Sequence, residues 1–246
     1  MGSKNRIAKY IVPIIEERIK EFKPSAYIEP FVGGANIIDK VNHPKKIGSD
    51  NNKYLIALLQ NLDEIENLPD EVTKEHYVDV RESYKQRDGR YEDWYIGAVG
   101  FLSSRNGRFF DGGYVSYCGE NSKGEPRSYY DETKRNLLAQ RPNLEGISFW
   151  NCDYTLYNLE KIKGCIFYCD IPYANVKKYS TSKDFDYDKF WNWAREASKN
   201  NVVLVSEQIA PPDWECIWEM EVSRSMKHDR KEAMKATEKL FEYRGE

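Results

Sequence analysis

The chain has no apolar run approaching the roughly 20 residues that span a bilayer, no C-x-x-C pair, no internal repeat and no low-complexity tail. These absences argue against a membrane-spanning helix, a thiolate metal cluster and a solenoid. Strong charge of one sign is missing too. A net charge of −3 exerts no global attraction on nucleic acid, so a polyanion must be met by a local patch. The glycine signatures of nucleotide binding, G-x-G-x-x-G and G-K-[ST], are also absent, which turns the reading away from nucleotide phosphates. The N-terminus, "MGSKNRIAKYIVPIIEERIK", lacks an uncharged apolar core and a small-residue cleavage site, so it is expected to be structure and not an address.

The 246 residues are 40% hydrophobic and 31% charged, the composition of a soluble globular protein with one large domain carrying an insertion. The five cysteines Cys118, Cys152, Cys165, Cys169 and Cys216 form no spaced pair, and three fall in strand-like runs where free Cys packs as a small hydrophobe. A reduced, cytoplasmic setting is expected, with no metal site and no membrane. Residues 224–239 carry six Lys or Arg against three acids, and residues 105–108 hold two Arg. Eighteen tyrosines suit stacking on bases, though half-buried tyrosines are routine.

Strand-like and helix-like segments alternate at both ends. "AYIEPF" precedes a helical "ANIIDKV", and "KKIGSD" precedes "NKYLIALLQNLDEI". Later "GISFWNC" precedes a helical "TLYNLEKI", "CIFYCD" precedes "YDKFWNWAREASK", and "NVVLVSE" leads to an extended "WECIWEMEV". Such alternation predicts parallel strands with crossover helices. Between about 70 and 145 the pattern changes to helices around "TKEHYVDVRESYKQ" and "DWYIGAVGFLSS", then to a Gly-, Arg- and Tyr-rich stretch. The expected division is therefore a main domain over 1–68 and 146–246, with a mainly helical, loop-rich insertion over 69–145.

Three acids close predicted strands. Asp50 ends "GSD", Asp153 follows "FWNC", and Asp170 ends "CIFYCD". Ligands gather at the carboxyl ends of strands in open α/β sheets, and Gly33 and Gly34 between a strand and a helix allow close backbone approach. Asp50 and Asp153 have a second reading as helix caps. Pro172 cannot extend a ladder, so the strand must stop before Tyr173.

In order and spacing, "YIEPFVGGANIID", "GSDNNKYL", "SRNGRFFDGGY", "FWNCDY", "YCDIPY" and "VVLVSE" resemble the DNA adenine-N6 methyltransferases of the Dam type, nearly end to end. The sequence is most similar to orphan bacterial and prophage members without a restriction partner. The resemblance implies a Rossmann-like S-adenosylmethionine-dependent methyltransferase fold of α/β class with an inserted target-recognition module. It implies S-adenosyl-L-methionine as cofactor and double-stranded DNA as partner, with no obligate protein partner. The glycine loop Phe31–Gly34 would lie under the cofactor, Asp50 would hold its ribose and Asp153 would contact its adenine. Glu29, Pro30, Asn51, Cys152 and Asp170 complete the implied cofactor contacts. Gly2-Ser3-Lys4 resembles the family's Gly-Gly-Lys element, with Ser in place of the second Gly, leaving Lys4 as a contact to cofactor or active site.

The family's catalytic tetrapeptide, [DNS]-P-P-Y, reads here Asp170-Ile171-Pro172-Tyr173. An exocyclic adenine amine is a poor nucleophile because its lone pair is delocalised. Two acceptors on its hydrogens, a carboxylate and a backbone carbonyl, stabilise charge developing during methyl transfer. Asp170 supplies the first. Residue 171 supplies the second whatever its side chain, and the following Pro172 biases it to an extended backbone, so Ile171 is compatible with activity. Tyr173 offers a ring for stacking on a flipped base. Other targets remain open, namely cytosine N4, an RNA base or a glutamine side chain, as does a catalytically silent DNA-binding regulator.

The "SRNGRFFDGGYVSY" segment resembles the family's N-G-x-F loop. Arg105 and Arg108 suit guanine edges or phosphates, and Asn106 a base edge. Phe109, Phe110 and Tyr114 are expected either to fill the gap left by an extruded adenine or to dock the insertion onto the main sheet.

Overall fold

The computed structural model describes residues 4–120, 124–173, 185–224 and 234–245. In sequence order, α1 (Asn5–Phe22) leads to β1 (Tyr27–Glu29), β2 (Lys46–Asp50) and α2 (Lys53–Gln60). Helices α3 (Lys74–Gln86) and α4 (Asp93–Leu102), a hairpin of β3 (Tyr117–Glu120) and β4 (Pro126–Ser128), and α5 (Tyr129–Leu144) follow. The polypeptide then returns through β5 (Ser148–Asn151), β6 (Ile166–Asp170), α6 (Tyr187–Ser198), β7 (Val202–Glu207), β8 (Trp214–Arg224) and β9 (Met234–Tyr243).

The large sheet runs β5-β2-β1-β6-β7-β9-β8. Its first five strands are parallel, whereas β9 pairs antiparallel with both β7 and β8. The parallel strands thus follow the doubly wound order 3-2-1-4-5, with β1 and β6 on either side of the point where the order reverses. Side-chain alternation buries both faces. Tyr27, Ile166, Tyr168 and Leu204 face the layer holding α1, α2 and α4. Ile28, Phe167, Cys169, Val203 and Val205 face α6, which answers with Phe190, Trp191, Ala194 and Ala197.

The 69–145 segment shares the first of these cores through α3 and α4. Thr73 starts α3 by accepting the His76 N–H at 3.1 Å. Helix α4 lies close on α2 because Gly97 has no side chain: a Cβ there would sit 2.2 Å from the Tyr54 carbonyl oxygen.

Two expected helices are absent. Residues 35–41 form turns, because Gly33 and Ala35 both adopt left-handed φ values, 48° and 54°, which interrupt helical propagation. "TLYNLEKI" is reduced to one 3-10 turn, Tyr154–Leu156. Tyr157 leaves it extended, with its hydroxyl on Ser49 Oγ at 2.9 Å, so a tertiary contact outweighs helix propensity. Among the described residues, no helix is long and apolar enough to cross a membrane.

Candidate active site

Parallel pairing brings the carboxyl ends of β1, β2, β5, β6 and β7 to one edge, and the Asp170-Ile171-Pro172-Tyr173 stretch leaves the sheet there. Asp170 is the last residue of β6, in register with Ser206 of β7. Ile171 turns inward and is only 2% exposed, packed with the α6 side of the core. The Pro172 carbonyl accepts the Tyr187 hydroxyl at 2.9 Å. The exit is therefore held by a buried side chain on one residue and a carbonyl contact on the next.

Lys4, 8% exposed, sits against this exit. Its Nζ lies 3.3 Å from Asp170 Oδ1, and donates to Glu238 Oε2 at 2.8 Å and to Ser206 Oγ at 2.9 Å. It also contacts the Tyr173 hydroxyl, which donates in turn to Glu238. Burial opposes the ammonium charge, but attraction from Asp170, Tyr168 and Glu238 outweighs it and raises the Lys4 pKa. Burial raises the Asp170 pKa, Lys4 pulls it down and Glu238 pushes it up. One buried cation thus serves two carboxylates, an arrangement that only close pairing makes tolerable.

The glycine loop follows β1. Gly33 donates its N–H to Asp50 Oδ2 at 3.3 Å, and Asn52 donates its N–H to Oδ1 at 3.0 Å. Helix α2 is capped by Asn52, whose side chain accepts from the N–H groups of Tyr54 and Leu55, so Asp50 is not the cap. Burial pushes the Asp50 pKa up to about 6 against those two backbone donors. Asp153, by contrast, does cap its turn, accepting from Thr155 N at 2.9 Å and Oγ1 at 2.6 Å. Cys152, half-buried, donates its N–H to the Asp50 carbonyl at 3.2 Å, and exposed Asn51 follows Asp50 directly.

Glu29 is buried at the end of β1 and accepts the Tyr27 hydroxyl at 2.7 Å. Burial raises its pKa well above the usual carboxylate range, against the lowering effect of that bond. Pro30 is buried beside it, and the Phe31 ring lies 5.3 to 5.8 Å from those of Tyr154, Phe190 and Phe185. A Cβ on Gly34 would come within 2.8 Å of Asn36 Nδ2. A bare backbone loop, an aromatic wall and a carboxylate with unused lone pairs beside it make a donor and acceptor set that fits S-adenosylmethionine.

Sequence reasoning missed three members of this region. Ser206 and Glu238 reach Lys4 from β7 and β9. Gln140 on α5 donates to the carbonyls of Gly34 and Ala35 at 3.2 and 3.0 Å, tying the 69–145 segment to the glycine loop. Of the three, only Ser206 had a local signal, as a polar residue near the end of an apolar strand. Gly2, Ser3 and residues 225–233 of the basic stretch lie outside the described residues.

The Arg-rich loop divides in two. Arg105 and Asn106 are exposed, the latter at φ 57°, and Arg108 is half-buried. Phe109 does not project: it is 8% exposed and stacks on Tyr54 at 5.4 Å, with Phe101 at 4.9 Å. Phe110 is equally buried against Tyr77 and Tyr84. Tyr114 is half-buried, its hydroxyl bound to the Val72 carbonyl at 2.8 Å. Of the two expected roles, burial of Phe109 and Phe110 among these rings favours docking of the insertion, since burying aromatic surface in this core outweighs presenting it to solvent.

A family model described as D12 class N6 adenine-specific DNA methyltransferase matches residues 1–203. No curated protein matches the sequence. The protein is similar to the solved rRNA methyltransferase aviRa from Streptomyces viridochromogenes, at 11% identity over 97% of this chain and 84% of that one, with a TM-score of 0.43.

Proposed function

The chain belongs to the D12 class N6 adenine-specific DNA methyltransferases, and we propose that it methylates the N6 amine of an adenine flipped out of duplex DNA, at the exit of β6. The supporting observation is the placement of Asp170 at the topological switch edge, 3.3 Å from a buried Lys4, with Pro172 and Tyr173 directly behind it. S-adenosylmethionine supplies an electrophilic methyl group on its sulfonium.

The remaining work falls to the protein's own groups. Asp170 accepts one hydrogen of the amine, and the Ile171 carbonyl accepts the other. Together they favour a lone pair aimed away from the ring and stabilise the charge that develops on nitrogen. Lys4 favours the ionised form of Asp170, opposing the rise that burial imposes on its pKa. The Gly33 loop and Asp50 hold the cofactor, with Glu29, Pro30, Phe31, Gly34, Asn51, Cys152 and Asp153 around it. Arg105, Asn106 and Arg108 contact the duplex near the target. Residues 69–145 form the target-recognition module and the rest the catalytic domain. A cytoplasmic location accords with five free cysteines.

Incubation with labelled S-adenosylmethionine and unmethylated duplex DNA, followed by nucleoside chromatography, tests this reading. N6-methyladenine is the expected product. Label in cytosine, or a protein that binds duplex and cofactor without transfer, would overturn it. A rise in 2-aminopurine fluorescence at the target position checks the flipping step.

A further inference from the structure

We infer that Glu238, on the antiparallel strand β9, is a positioning residue of the catalytic motif, acting through Lys4 and Tyr173. The inference rests on the reading of Asp170 as the acceptor for the target amine. Glu238 lies beyond the family match, which ends at residue 203, and β9 reaches this edge only by pairing with β7.

The geometry gives one carboxylate two tasks. Glu238 Oε2 is 2.8 Å from Lys4 Nζ, closer than Asp170 Oδ1 at 3.3 Å, and the same oxygen accepts the Tyr173 hydroxyl. Lys4 Nζ also lies 4.5 Å from the centre of the Tyr173 ring. The ring that follows Pro172 is therefore clamped at its hydroxyl by an ion pair that itself leans on Asp170. Ser206, in register with Asp170, completes the clamp from β7 at 2.9 Å from Lys4.

Two consequences separate positioning from mere support. Glu238 fixes the Tyr173 ring, so losing its acceptor should slow the bound complex more than it weakens cofactor binding. It also places a second negative charge near Asp170, so neutralising it should ease ionisation of Asp170. The titratable groups around Asp170 are Lys4 ahead of α1, Glu29 on β1, Tyr168 and Cys169 on β6, Tyr173 after it, and Glu238. Among them Lys4 carries the only positive charge.

Glu238→Ala and Glu238→Gln decide the matter. Glu238→Ala should lower kcat by roughly tenfold to a hundredfold, the range for a misplaced reacting group, with KM for S-adenosylmethionine unchanged. Glu238→Gln retains an acceptor for Tyr173, so it should recover most of kcat while the acid limb of the pH profile moves to lower pH. Parental kcat and an unmoved profile in both variants would overturn the inference, as would equal losses in both.

A second measurement does not depend on turnover. Carboxyl-carbon NMR of the protein labelled at Asp should show the Asp170 titration moving to lower pH in Glu238→Gln, and an unmoved titration overturns the inference. A parent protein that transfers no methyl group would defeat the functional reading, and the NMR comparison would still decide the role of Glu238.

Discussion

Asp50 and Gly33 are joined by a hydrogen bond from the Gly33 backbone N–H to Asp50 Oδ2, 3.3 Å long. Because the other carboxylate oxygen takes the Asn52 N–H at 3.0 Å, one half-buried acid sets the positions of both the glycine loop and the start of α2. Each oxygen keeps a lone pair for a further donor.

Cofactor binding should therefore depend on pH through Asp50. Its pKa is raised to about 6, so the carboxylate accepts hydroxyl donors fully only above that pH. Affinity for S-adenosylmethionine should rise as pH passes upward through about 6 and stay level above it. Calorimetric titrations between pH 5 and 8, about the window for a group of this kind, check it. Asp50→Ala should abolish the dependence and weaken binding by about 1 to 3 kcal/mol.

Asp170→Asn should reduce methyl transfer by about a hundredfold or more if, as proposed, its carboxylate accepts from the amine where charge develops. Cofactor affinity should be nearly unchanged. Single-turnover kinetics and calorimetry on one preparation test both halves, and a cofactor loss of about tenfold, roughly 1.4 kcal/mol, would reassign the residue to binding.

Ile171 is packed in the core, so its side chain should matter to stability, whereas the proposed part in the reaction falls to its carbonyl. Ile171→Val should cost about 0.5 to 1.5 kcal/mol and Ile171→Ala about 2 to 5 kcal/mol in urea unfolding. Parental stability in the alanine variant would show that the contact with the α6 side contributes nothing.

In the Arg-rich loop, exposed and buried residues should behave oppositely. Arg105→Ala should unfold like the parent and weaken duplex binding, with the salt slope reduced by about one unit if it meets a phosphate. Phe109→Ala should lose about 3 to 5 kcal/mol of stability. Fluorescence anisotropy over a salt series, together with denaturation curves, separates the two.

Gly97→Ala probes the contact that binds the 69–145 segment to the main core. A Cβ 2.2 Å from the Tyr54 carbonyl oxygen must push α2 and α4 apart, at an expected cost of about 1 to 3 kcal/mol by overpacking. An unchanged melting temperature would mean that the helices separate freely.

Local chemistry made much of this legible in advance. The continuous apolar run of β6 and the proline that ends it each carry their instruction within a few residues, and the acids at the strand ends lie along the edge where the parallel strands finish. The helix expected at 35–41 failed because the backbone at Gly33 and Ala35 takes left-handed φ values, which no periodicity reveals. Asp50 and Asp153 looked alike as strand-end acids, yet one binds the glycine loop and the other caps a turn.

The sequence by itself determined the parallel α/β order, the place where β6 must stop and the residue types brought to that edge, because hydrophobic alternation, caps and proline act over short range. Only the tertiary structure decided which side chains meet there. Lys4 and Glu238 are separated by 234 positions and join because an antiparallel β9 lies against β7. Phe109 became core because α2 and α3 present Tyr54 and Tyr84 to it. Burial and ionic pairing between distant segments depend on the packing of the entire molecule, which no window of sequence contains.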